Sequence, residues 1–178
     1  MLNQNPVFKL FLGAVFIGFS PILIKAVSVG PSMTAFYRCF LSSLILFFYS
    51  AVRYKSHLKV NRKLLFWVCI CGTAFAADLE VWHRSVLYAG AGIGTILANT
   101  QVFYMALVGI LFFKERPSLK FLIAVPLAFL GVYFLVNFQH KNLQTELFYI
   151  GILFGLSTGV FYTVYVLCLH RLEKEFDK

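Results

Sequence analysis

Asp78, Glu80, His83 and Arg84 fall within seven positions of the stretch ADLEVWHRSVLYAG (77–90), in a chain that is otherwise mostly apolar. Two carboxylates, an imidazole and a guanidinium at that density can hold an ion, relay a proton or gate a charged solute. Two further cations, Lys25 and Arg38, lie inside apolar runs elsewhere. Asn99 and Gln101 add amides, Ser20 a hydroxyl and Tyr162 a phenol. The chemistry on offer is binding and charge handling. No nucleophile–base pair and no HExxH pattern accompanies it, and the four histidines are scattered, so neither an enzyme nor a metal centre is expected. GAGIG (90–94) lacks the preceding strand and the third-glycine spacing of a dinucleotide fingerprint, and no GxxxxGK phosphate loop is present. No cofactor and no ATP hydrolysis are expected.

The elements that must position these groups follow from composition. The chain is 60% hydrophobic and 13% charged, with a mean hydropathy of +0.81. Ordinary soluble domains are about 45–50% apolar and about 25% charged, so the solvent is lipid. Six apolar runs, Phe8–Ser28, Met33–Val52, Leu64–Trp82, Ala91–Phe113, Leu119–Phe138 and Leu147–Leu169, are separated by short polar or Gly/Pro breaks. Each is near the ~20 residues a helix needs to cross a bilayer core. The β-barrel alternative would show alternation in ~10-residue segments, and none is visible. The fold class expected is an all-α integral membrane protein with six transmembrane helices. The first run ends in AVS, like a signal-peptide cleavage site, but its basic flank is weak and five runs follow, so it reads as a retained helix. Cys39, Cys69, Cys71 and Cys168 all fall within runs and read as free thiols.

Lysine and arginine set the orientation. With the N-terminus inside, the inner side receives Lys9, the Arg53–Lys63 connection, Lys114, Arg116, Lys120, Arg171, Lys174 and Lys178. The outer side receives Arg84 and Lys141. Both termini are therefore expected in the cytoplasm of a multi-pass cell-membrane protein. The +9 net charge lies between apolar runs, which points to lipid headgroups rather than nucleic acid.

At ~1.5 Å per residue, Asp78 lies ~21 Å above Leu64, Lys25 ~25 Å above Phe8, and Arg38 ~8 Å below Met33. These heights place Lys25, Arg38, Asp78 and Glu80 together in the outer part of the membrane. They read either as an outward vestibule or gate, with a carboxylate carrying a coupling proton, or as a static charge cluster. Trp82 and His83 fall at the outer water boundary, where Trp is an anchor and His83 either a switch or a packed side chain. In the fourth run, Gly90, Gly94 and Ala98 are spaced for close helix approach, and Thr95 and Asn99 share a face. Asn99 lies ~12 Å into that run, near the midplane. It reads as a substrate contact or an interhelical hydrogen bond; Gln101 points elsewhere. Ser20-Pro21 is a kink site, and Tyr162 can reach a central cavity, whereas Tyr165 is expected to pack. Gly18-x-Ser20 and Gly155-x-Ser157 head similar stretches in the first and last runs, as an inverted repeat would.

DLEVWHRSVLYAGAGIGTILANTQVFYMALVGILFFKER (78–116) resembles the third and fourth helices of the drug/metabolite transporter superfamily, EamA-type. GFSPILIK resembles that family's first helix, FYR (36–38) the Arg-bearing start of its second, and Lys114-Glu115-Arg116 its Gly-Glu-Arg-like signature, with Lys where Gly is common. The resemblance implies a five-helix repeat at 1–138, then a linker and the first helix of an inverted second repeat at 139–178. It also implies a cavity bordered by the first, third, fourth and sixth helices, and secondary transport of a small metabolite by alternating access. Family members resemble a pair of such repeats, so a second half or a homodimer is an expected partner, alongside membrane lipids. The competing expectation is a non-transporting fragment or a partner-binding subunit.

Overall fold

The computed structural model describes residues 6–53, 62–140 and 146–176. Seven helices follow in order: α1 (Pro6–Ala26), α2 (Pro31–Arg53), α3 (Arg62–Ala89), α4 (Ala91–Ala98), α5 (Gln101–Phe113), α6 (Leu119–His140) and α7 (Glu146–Phe176). Helices α4 and α5 together make one crossing, Ala91–Phe113. Among the described residues, five stretches are long and apolar enough to cross a membrane; α6 contributes a shorter apolar stretch, Leu119–Leu135, within its 22 residues. Most of the Arg53–Lys63 connection and all of the linker 141–145 lie outside the described residues.

Helix starts carry recognisable signals. Pro31 opens α2, where its missing N–H is not needed, and Thr34 returns both its N–H and its hydroxyl to Gly30 O at 3.0 and 3.1 Å. Ser118 caps α6, its Oγ accepting from Phe121 N–H at 3.3 Å. At the other end of that connection, Lys114 stands in the left-handed region (φ 55°, ψ 31°), which turns Glu115 N–H back to Gly109 O at 3.1 Å. This conformation explains why glycine suits that position. A side chain there costs ~1–2 kcal/mol, partly offset by the entropy glycine loses on folding. Lys114→Gly is therefore expected to stabilise the fold by ~1 kcal/mol in mixed-micelle unfolding; a lower midpoint would contradict the strain assigned to Lys114.

The centre of the bundle is α3 packed antiparallel on α7. Cys71 Sγ meets Tyr165 O at 3.9 Å near one end, while Tyr88 and Ala89 meet Gly151 near the other. Glycines at four-residue spacing make this approach possible. A Cβ on Gly151 would lie 2.7 Å from Ala89 N, on Gly155 2.7 Å from Leu97 Cβ and Ser85 Oγ, and on Gly159 2.7 Å from the Tyr104 ring. Ala89, Ile93, Leu97 and Phe148 form the buried core where α3, α4 and α7 meet, flanked by Val132 and Leu135 of α6. Helices α1, α2 and α6 present mostly exposed apolar side chains, as lipid-facing rods do. Tyr165 packs on Phe75, ring centroids 5.0 Å apart.

Two sequence expectations are corrected. The third helix does not stop at Trp82 but runs to Ala89, because Ser85, Val86 and Ala89 are buried against neighbouring helices rather than exposed at a membrane surface. The fourth crossing spans Ala91–Phe113 as expected, with a tight turn at Asn99–Thr100, where Thr100 Oγ1 donates to Leu97 O at 2.6 Å. Such back-bonding bends helices. Gly90 serves the one-residue turn between α3 and α4 rather than a helix face. Its φ of 100° and ψ of 156° belong to a region that is essentially glycine's alone.

Candidate functional site

The polar groups of α3 divide into two clusters on the flank facing α2. In the first, Glu80 Oε1 accepts from Ser32 Oγ at 2.7 Å and from Arg84 Nε at 2.7 Å. Arg84 Nη2 lies 2.6 Å from the same oxygen, and its guanidinium covers the Phe154 ring at 5.8 Å. Glu80 and Arg84 sit one turn apart, so a single helix pre-aligns the pair. This cluster is electrically closed and ties α2, α3 and α7 together. Glu80 is thus satisfied by Arg84 and Ser32, not by Lys25 or Arg38.

The second cluster is open. His83 is fully buried; its Nδ1 donates to Leu79 O of the preceding turn. That bond leaves Nε2 as an acceptor, and Arg38 Nη1 approaches it at 3.4 Å. Arg38 can only donate, so the imidazole in this contact is neutral with its proton on Nδ1. The Arg38 guanidinium also covers the Trp82 ring at 5.4 Å, a cation–π contact, and Trp82 stands edge-on to His83 at 5.3 Å. Asp78, one turn before Trp82, is 6% exposed and within electrostatic reach of Arg38. Its Oδ1 is buried and has no hydrogen-bond partner. An ionisable oxygen left open inside apolar helices is costly, and such groups mark sites of function. The second orphaned oxygen, Ser85 Oγ, lies two turns further along α3 and against Gly155.

Arg38, Asp78 and His83 are therefore brought together, with Trp82 as a wall. Lys25 is exposed and stands apart; its Nζ is near the Gly90 turn, 3.9 Å from where a Cβ would sit. Lys25 thus lies toward the end of α3, about three turns beyond Asp78, and Glu80 is taken by Arg84 and Ser32. Asn99 is exposed at the bend, with Nδ2 donating to Thr95 O at 2.9 Å. Gln101 is half-buried at the start of α5, and Ser20 is half-buried beside the buried Pro21 of α1. Tyr162 is half-buried on α7, 5.7 Å from the Tyr165 ring. An apolar groove of about 480 Å³ between α3 and α7 is lined by Phe66, Ile70, Thr73, Ala77, Val160 and Val164 among others. Asn99, Gln101, Ser20 and Tyr162 do not line it. Of the thiols, Cys71 and Cys168 are buried, whereas Cys39 is half-buried and Cys69 exposed. Among the described residues, no three His, Cys, Asp or Glu side chains gather closely enough to hold a metal ion.

Sequence reasoning missed Gly151 and Gly159, although their spacing with Gly155 is the same signal it applied to Gly90, Gly94 and Ala98. It also missed Ser85 and Thr100, since a hydroxyl on a helix carries no sign of which face is buried.

The chain matches no curated protein and no solved structure. The sequence pattern of the EamA-like transporter family matches residues 5–137, about three quarters of the chain, spanning α1 to α6 and including Arg38, Asp78 and His83. Multiple apolar crossing helices, a buried charge cluster between them and this match together place the chain in the EamA-like transporter family.

Proposed function

We propose that this chain carries a small metabolite across the cell membrane by alternating access, without ATP hydrolysis, with both termini in the cytoplasm. The observation that carries the reading is Asp78, buried with an unpartnered oxygen beside Arg38 and His83 on helices matched by the family. A carboxylate in that setting can exchange between a coupling proton and the charge of Arg38 as the cavity opens to either side. Residues 1–138 act as one repeat. The segment 139–178 brings the first helix of an inverted second one, so a second half or a second copy completes the path. Asn99, at the bend, and Gln101, Ser20 and Tyr162 serve as polar contacts for substrate. The turn supports this role, because it leaves the Asn99 amide exposed part-way along the crossing.

Flux in proteoliposomes tests the proposal, with a panel of radiolabelled metabolites, an imposed pH gradient, and the chain alone or fused to a second five-helix unit. At least one metabolite is expected to accumulate with the gradient. If no preparation moves any of them, the chain is a non-transporting subunit. For a transported metabolite, Asn99→Ala is expected to weaken half-saturation by ~5–10-fold, the worth of about one lost hydrogen bond to substrate. An unchanged half-saturation would leave Asn99 as a helix-bending residue.

A further inference from the structure

A second cavity, of about 490 Å³, opens at the end of the bundle where α3 begins and α5 and α7 finish. Trp67 of α3, Val108 and Phe112 of α5, and Leu167 and Cys168 of α7 form its apolar walls. Arg171 and Lys174 close the rim, joined by His170. Arg171 follows Leu167 and Cys168 by four and three residues, and Lys174 follows Arg171 by three, so one stripe of α7 changes from apolar to cationic as it leaves the slot. The change takes one turn, ~5 Å, which is the step from the first acyl carbons to a phosphate. His170 lies within 3.8 Å of Glu173, which leaves Arg171 and Lys174 as the rim's cations toward the slot. Trp67 supplies the amphipathic ring that membrane interfaces favour.

We infer that this slot binds one anionic glycerophospholipid, with an acyl chain against Val108, Phe112 and Leu167 and the phosphate on Arg171 and Lys174. Charge complementarity selects the occupant. Around it, the same end of the bundle carries Arg62, Lys114, Arg116 and Lys120 against the acids Glu115 and Glu173. A cationic rim above an apolar slot between helix ends is matched by an anionic headgroup on a lipid tail. A zwitterionic headgroup would bring an ammonium to the same rim. This inference goes beyond the transport reading and stands without it.

Native mass spectrometry of the detergent-purified full chain tests it, with phosphatidylglycerol, phosphatidylcholine of the same acyl chains, and inorganic phosphate as probes. Phosphatidylglycerol is expected to bind at one site in preference to the other two. Arg171→Gln/Lys174→Gln, which alters exposed side chains, is expected to weaken it ~30-fold, since each cation near an anionic headgroup contributes about a kilocalorie. Val108→Trp, checked for unchanged helicity, is expected to block the slot and abolish one-site binding. Lys9→Gln, on an exposed face of α1, is expected to leave binding unchanged. Equal binding of phosphatidylcholine, equal binding of free phosphate, or retention in the double variant would each overturn the inference. So would an equal loss in Lys9→Gln, which would reduce the effect to general surface charge, or a lipid-free dimer that buries the slot.

Discussion

Gly155→Leu is expected to prevent the chain from reaching a stable folded state in detergent. The α-carbon of Gly155 lies so near α3 and α4 that a bare Cβ would stand 2.7 Å from both Leu97 Cβ and Ser85 Oγ. Leu97 Cβ is fixed to buried helix backbone and cannot swing aside, even where the Ser85 hydroxyl rotates away. Overpacking a well-ordered core costs ~1–3 kcal/mol for small additions and more where backbones must separate. In a membrane no hydrophobic term between helices compensates, because lipid is as apolar as leucine. Gly155→Ala is expected to lower the mixed-micelle unfolding midpoint clearly, and Gly155→Leu to abolish the cooperative transition. Gly131 of α6 is the internal control, since nothing lies within 4 Å of a Cβ placed there. Gly131→Leu should unfold as the parent does. If Gly155→Leu unfolds at the parent's midpoint, α3 and α7 do not meet through this glycine.

Asp78→Asn is expected to abolish flux while leaving helicity and expression intact. Asparagine keeps the shape of the side chain and removes its charge. Arg38 then faces only the neutral His83 and the Trp82 ring. Asp78 acts on Arg38 through space rather than in a direct ion pair, so what the variant loses is the carboxylate's charge and its capacity to carry a proton. Loss of a positioned proton-carrying group commonly costs ~100-fold or more in rate, and a fall in flux of at least that order is expected. Asp78→Glu restores the charge with one more methylene and is expected to recover part of the activity. The readout is initial rate in proteoliposomes under a pH gradient, at matched protein incorporation. Parental rates in Asp78→Asn would take Asp78 out of the transport cycle.

The crossings were legible because lipid imposes a length and a composition that few soluble segments satisfy. Their ends were less so. The stretch His83-Arg84-Ser85 reads as an interface because it is polar, yet His83 and Ser85 are among the most buried residues of the chain. Hydropathy records what a side chain is, and a polar side chain facing another helix looks the same as one facing water. Lys25 shows a related limit. Rise per residue gives its height from the sequence, but each residue also rotates by ~100°, and azimuth depends on which neighbours pack where. Counted height grouped it with Asp78, whereas its ammonium lies by the Gly90 turn, about three turns further along α3. Arg38 passed both tests because α2 and α3 lie side by side. The bend at Asn99–Thr100 left no trace, since threonine and asparagine occur in helices that continue straight.

The placement of α7 bears on how the molecule is made. Its three glycines complete the burial of Ser85, Ala89 and Leu97, which emerge from the ribosome long before it does. Eighty-seven residues separate Ala89 from Phe176, and at ~5–20 residues per second that gap lasts ~4–17 s. During that time α3 sits in the nascent bundle with its α7-facing side against lipid, insertase or chaperone. Closure of this face of α3 thus waits for α7, and a stalled chain ending before Glu146 should be a target for membrane quality-control proteolysis.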